Sequence, residues 1–135
     1  MNTALGYKFG DVVYISDANL IPEEVETLLK KDPIQILVID ALRLKEKNAS
    51  HFSMKEAVKV TKRLQPHKAY LIGMSHEFDY RIHNKEIMQA TNNVVEMAFD
   101  GLLLKVQPPI NSNSSSSNSF PLTEKQQKPP TPEIS

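Results

Sequence analysis

Three short apolar runs constrain this chain most: Val12-Val-Tyr-Ile-Ser16, Ile34-Gln-Ile-Leu-Val-Ile39 and Ala69-Tyr-Leu-Ile-Gly-Met74. Each has the length and residue types of a strand. None alternates cleanly between apolar and polar, the pattern of strands covered on at least one face and usually both. The segments between them read as helices. The first opens with Pro22 in its first turn, places Glu23 and Glu24 at the positive end of the helix dipole, and runs to about Lys30. The second opens with Ser53-Met-Lys-Glu56, a capping box, turns Ala57, Val58, Val60 and Leu64 to one face, and stops before Pro66. Strand, helix, strand, helix, strand predicts two right-handed crossovers in a parallel sheet. At the ends, Gly10-Asp11 is a tight-turn signal that pairs Leu5–Phe9 with Val12–Ser16. Asp100-Gly101 predicts the same for Val94–Ala98 and Leu102–Val106. The expected class is therefore α/β, a mixed sheet with flanking helices.

Composition sets the limits of that domain. Asn111 to Ser119 holds only Asn and Ser, and Lys128-Pro-Pro-Thr-Pro132 follows. So few apolar residues do not bury enough surface to offset the entropy of ordering. We expect residues 1–107 to form the folded unit and 108–135 a disordered Ser/Asn/Pro-rich tail. Sixteen basic and sixteen acidic residues cancel, so no global field draws the chain to nucleic acid or to anionic membrane. With no cysteine, disulfides and thiolate sites are excluded, and any metal is left to His and carboxylate ligands. No membrane-length apolar run or signal peptide is evident, so the expected location is cytoplasmic.

In sheets of this kind ligands sit at the carboxyl ends of the parallel strands. The first run delivers Asp17 to that rim, the second Asp40 with Arg43 beyond it, and the third Ser75, His76 and Glu77. His51, in the loop before the capped helix, falls on the same rim. Each has a bland reading beside the functional one. Asp17 suits a loop or cap, Asp40 a structural partner for Arg43 or a loop cap, and His51 a solvated loop. His67 belongs to the opposite rim, and Arg81-Ile-His-Asn84 reads as a polar loop entering a short helix. His76 is the best ligand candidate, with Ser75 and Glu77 beside it as groups able to orient an imidazole.

At these residues the sequence resembles a known family. Phe9-Gly-Asp-Val-Val-Tyr-Ile-Ser-Asp17 is similar to the metallo-β-lactamase segment in which a hairpin strand ends at the metal-bridging aspartate. Ile39-Asp-Ala-Leu-Arg43 with His51-Phe-Ser53 resembles the next strand and loop of the PhnP-like phosphodiesterase branch. Ile72-Gly-Met-Ser-His-Glu-Phe-Asp79 resembles the final ligand segment, and Val95-Glu-Met-Ala-Phe-Asp-Gly101 the closing hairpin. The resemblance implies Asp17 and His76 as metal ligands, with His51 assisting at the substrate phosphate. It implies a divalent metal (Zn or Mn) that activates water for attack on a small phosphodiester. The family's His-x-His-x-Asp-His run is absent from this sequence. The expectation is therefore half of an αββα sandwich, a truncated hydrolase inactive alone, with an uncovered sheet face open to self-association. Two readings from other classes stay open at this stage. One is a small receiver-like module in which Asp17 and Asp40 hold Mg²⁺ or phosphate. The other is a non-catalytic interaction protein using the open sheet face.

Overall fold

The computed structural model describes residues 6–46 and 48–106. The proposed tail at 108–135 and Leu5 of the first hairpin lie outside them. The elements are β1 (Gly6–Phe9), β2 (Val12–Ile15), α1 (Glu23–Leu29), β3 (Ile36–Asp40), α2 (Met54–Leu64), β4 (Lys68–Ile72), α3 (Tyr80–Ala90) and β5 (Val95–Met97). They build one five-stranded sheet in the order β1-β2-β3-β4-β5. β1 and β2 form the expected antiparallel hairpin. Gly10 takes a φ of 61° in its turn, the position where this kind of two-residue loop favours glycine. β2–β3, β3–β4 and β4–β5 are parallel.

The second expected hairpin does not form. Val95–Met97 instead adds to the parallel side of the sheet, with Ala69 opposite Val95 and Leu71 opposite Met97. Leu102 N–H donates to Phe99 O to close a turn. Leu102 and Leu104 then lie on the sheet's second face. Asp100-Gly101 is a turn, as read, but β4 already offered β5 an open parallel edge and an apolar neighbour at each inward position. The Arg81–Asn84 stretch is likewise not a loop. It lies within the first turns of α3, whose N-cap Asp79 accepts from the N–H groups of Arg81 and Ile82. An aspartate in that place satisfies donors that would otherwise be orphaned.

All three helices contribute to one face. Leu29 of α1, Ala57, Val60 and Leu64 of α2, and Ile87 of α3 pack with Val13, Ile15, Leu37, Ile39, Ala69, Leu71, Val95 and Met97. Leu37, Ile39 and Leu71 are fully buried, and burying such a side chain contributes about 1.5–3 kcal/mol. The other face holds a smaller cluster, Val12, Ile36 and Tyr70, with Val38, Ala98, Leu102 and Leu104 against it. Toward β1 this face opens. Tyr7 and Phe9 pair with Tyr14 and Val12, so they share that face, yet both stay more than half exposed.

The capping box forms in full. Ser53 Oγ accepts from Glu56 N–H, and the Glu56 carboxylate accepts from Ser53 N–H at 2.9 Å. Gln65 ends the helix in the left-handed region, and Pro66 blocks its continuation. Replacing Ser53 with Ala leaves the Glu56 N–H without its acceptor in a buried setting. The expected loss of unfolding free energy is about 1 kcal/mol, measured by urea denaturation.

Candidate functional site

β2 and β3 run in parallel with Ile15 opposite Ile39, so the residues that leave them emerge side by side. Asp17 leaves β2 in the left-handed region at φ 54°. Aspartate tolerates that conformation better than most residues, and strain of this kind is often kept at functional positions. Its carboxylate is 78% exposed, and the contact made to it besides His51 is a long one, 3.4 Å from Ser16 Oγ. Asp40 is the last residue of β3 and its side chain is only 6% exposed.

His51 joins these two carboxylates. Its Nδ1 lies 2.5 Å from Asp40 Oδ2 and 3.7 Å from Asp17 Oδ1. The loop that carries it is fixed on both sides. Before it, Asn48 Oδ1 accepts from Ser50 N–H, and Asn19 Nδ2 donates to Ala49 O at 2.7 Å. After it, Phe52 is buried in the core and its carbonyl accepts from Leu42 N–H, while Met54 N–H donates to Arg43 O. Sequence reasoning placed Asp17 and His51 on one rim, and the structure brings them together. It also brings in Asp40, which the sequence places on the same rim as a partner of Arg43 or a loop cap. Arg43 is instead committed to Glu77 at 2.6 Å and to Glu46 at 3.7 Å. The signal for Asp40 was its position, a carboxylate ending a buried strand with a histidine in the loop that follows.

His76 sits exposed in the loop after β4. It is not among the residues clustered around His51, and it lines an open depression of about 1130 Å³ with Met74, Phe78, Tyr80, Met97 and Phe99. Its neighbour Glu77 serves the backbone rather than the imidazole. The Glu77 carboxylate accepts from Leu44 N–H and from Arg43, and so ties the His76 loop to the segment leading toward His51. His67 lies on the opposite rim, as expected, with its N–H donated to Ile34 O. His83 is spent within α3, where its Nδ1 accepts from Asp79 N–H.

Asp17, Asp40 and His51 can each offer one ligand atom, and those atoms lie within 4.8 Å of one another. Hard carboxylate oxygens with one imidazole suit a divalent cation. Asp17, exposed and weakly engaged, fits that role; Asp40 Oδ2 is already held by His51. Burial pushes the Asp40 carboxyl above its ordinary value, against the opposing hydrogen bond and charge of His51. Glu77 is held below its ordinary 4.5, first by the Leu44 N–H and then, against some desolvation, by Arg43.

A family model described as the β-lactamase superfamily domain matches residues 1–74. The chain belongs to the metallo-β-lactamase superfamily. A solved structure titled as a new diphosphatase from the PhnP family shares 26% identity with it at a TM-score of 0.69. That match covers 78% of this chain and 39% of the diphosphatase chain, so the present chain spans well under half the length of that relative. None of the curated proteins matches. Family membership and the antiparallel β1–β2 pair together displace the receiver-like reading, which requires an all-parallel sheet. Among the described residues no helix is long and apolar enough to cross a membrane.

The shift at Glu77 sets an acid-range expectation. A carboxyl whose folded value lies below its unfolded one stabilises the fold above about pH 4.5, and that contribution is lost as pH falls through the lower folded value. Asp40 runs the other way: its contribution is present below 3.8 and lost as pH rises through its raised folded value. Glu77→Gln should therefore lower the melting temperature at neutral pH and show a shallower loss between neutral and pH about 3. Thermal melts across that range check it.

Proposed function

We propose that this chain carries part of the active site of a metal-dependent hydrolase acting on a small phosphodiester or diphosphate, with His51 as the acid–base group and Asp17 and His76 as metal ligands. The observation that carries the reading is the His51–Asp40 pair at 2.5 Å with the exposed Asp17 carboxylate 3.7 Å away. It stands at the carboxyl ends of β2 and β3, the edge where ligands sit in sheets of this kind. The diphosphatase neighbour supports a phosphate ester as the substrate class.

An ionised carboxylate can only accept, so His51 Nδ1 carries the hydrogen toward Asp40 and Nε2 remains for exchange with substrate. Among the described residues Nε2 has no hydrogen-bond partner. Protonated there, His51 can give a proton to a departing oxygen or offset charge on the phosphate. Asp17 and His76 would hold the cation, which when bound supplies Lewis-acid polarisation and lowers the pKa of water. Zn²⁺ and Mn²⁺ both suit such ligands.

The chain alone is proposed to bind metal weakly and to turn over little or no substrate. Catalytic zinc sites commonly use about three protein ligands plus water. The His-x-His-x-Asp-His run that supplies more of them in the family is absent from this sequence. Calorimetric titration of the 135-residue chain with Zn²⁺ or Mn²⁺ is expected to show binding no tighter than micromolar. Asp17→Asn and His76→Ala should each weaken it at least tenfold. Affinity unchanged in both variants would refute the ligand assignment, and brisk hydrolysis of a model phosphodiester by the chain alone would refute the inactivity.

A second reading rests on the open sheet face. Tyr7 and Phe9 stand exposed beside Val12 and Tyr14, and apolar surface of this kind favours association of two copies. Sedimentation should then show a concentration-dependent dimer that Phe9→Lys abolishes. A monomer at every concentration removes this reading.

A further inference from the structure

We infer that Asp40 is a positioning residue acting through His51, and that the absent side chain of Gly73 is what seats it. The inference deepens the function proposed above and rests on that reading for the reaction His51 serves.

β3 and β4 end level, with Asp40 opposite Ile72 and Ala41 N–H donating to Ile72 O at 2.9 Å. The next residue, Gly73, turns the chain at φ 70° and comes up against the Asp40 carboxylate. A Cβ at Gly73 would stand 2.7 Å from Asp40 Oδ1 and 3.7 Å from its Cγ. The first distance is well inside carbon–oxygen contact, so any residue but glycine requires the carboxylate to move. It has nowhere neutral to go. Its other oxygen, Oδ2, is bonded to His51 Nδ1, and the side chain is 6% exposed. Gly73 behind and His51 in front therefore fix one carboxylate position.

The consequence falls on the imidazole. A carboxylate at Nδ1 sets the tautomer and the plane of the ring, leaving Nε2 as the reactive nitrogen. Asp40 is too buried to meet a substrate itself, and Oδ2 is engaged. Its contribution is orientation, while the exposed Asp17 is the carboxylate left for a cation. Gly73 also lies three residues before His76, so one turn of backbone both seats the His51 partner and leads into the other proposed ligand segment.

A double-mutant cycle with a spectroscopic readout tests this. Melting temperatures are measured for the full chain, Gly73→Ala, Asp40→Ala and the double variant. The left-handed strain at residue 73 is common to both backgrounds, whereas the Cβ–carboxylate conflict needs Asp40. Gly73→Ala should therefore lower the melting temperature by clearly more in the native background than in the Asp40→Ala background. ¹⁵N NMR of the histidine rings at one fixed pH should place the His51 proton on Nδ1 in the native chain. The Nδ1–H form should be lost in Asp40→Ala and reduced in Gly73→Ala, with His67 unmoved.

Strict additivity of the melting shifts would overturn the role of Gly73. So would failure of both residue-73 variants to fold, since strain alone would then explain the glycine. A His51 tautomer unchanged in Asp40→Ala would overturn the role of Asp40. Neither readout involves metal, so failure of cation binding would strike the proposed function and leave this inference standing.

Discussion

Parallel pairing of β2 with β3 and of β3 with β4 fixes the height at which each strand ends, and the placement of Asp17, Asp40 and Gly73 depends on that height. With Ile15 opposite Ile39 and Asp40 opposite Ile72, Asp17, Asp40 and Gly73 leave the sheet within one residue step of each other. A slip of one residue would turn Leu37, Ile39 and Leu71 out of the helix-packed core and swing Asp40 to the other face. The buried apolar pattern that holds the register thus also holds the site. The loops then add what strands cannot. Buried Phe52 and the capped Ser53 anchor the segment carrying His51, and Glu77 ties the His76 segment to Arg43 and Leu44.

The electrostatics follow from the same geometry. Asp40 and Asp17 approach one imidazole from environments that differ sharply, one almost wholly buried and one mostly in water. Desolvation makes charge costly on Asp40, and the His51 contact offsets part of that cost. Asp17 keeps free lone pairs because water covers it. Two carboxylates a few ångströms apart are thereby separated in role, one aimed at a ring nitrogen and one available to a ligand. The two faces of the sheet differ as clearly. One is packed by three helices, and the other carries Leu102 and Leu104 toward β4 but leaves Tyr7 and Phe9 uncovered.

Much of this was legible in the residues. Near-continuous apolar runs gave the parallel strands, Ser53-x-x-Glu56 gave the start of α2, and Gly10-Asp11 gave the first hairpin. Strand polarity and loop position alone put Asp17 and His51 on one rim. Asp100-Gly101 misled because a turn signal does not say whether the flanking segments pair with each other or with a third strand; the free edge of β4 decided it. Arg81–Asn84 misled because its polar residues serve the helix and its neighbours, His83 accepting from Asp79 N–H and Asn84 from Met97 N–H, while Ile87 further along α3 does the packing. The Asp40–His51 pair was missed because Arg43, closer in sequence, looked the better partner. Glu77, on a different loop, takes that arginine, and no local pattern reveals it.

We propose that a divalent cation meets this chain at one rim of the sheet, the rim bearing Asp17, His51 and His76. Paramagnetic broadening by substoichiometric Mn²⁺ in ¹H–¹⁵N spectra addresses it most directly. The account predicts that amides around Asp17, His51 and His76 broaden first, while those of His67 and Lys68 at the opposite rim stay sharp. Broadening centred on His67, or spread evenly over the exposed carboxylates, would contradict it.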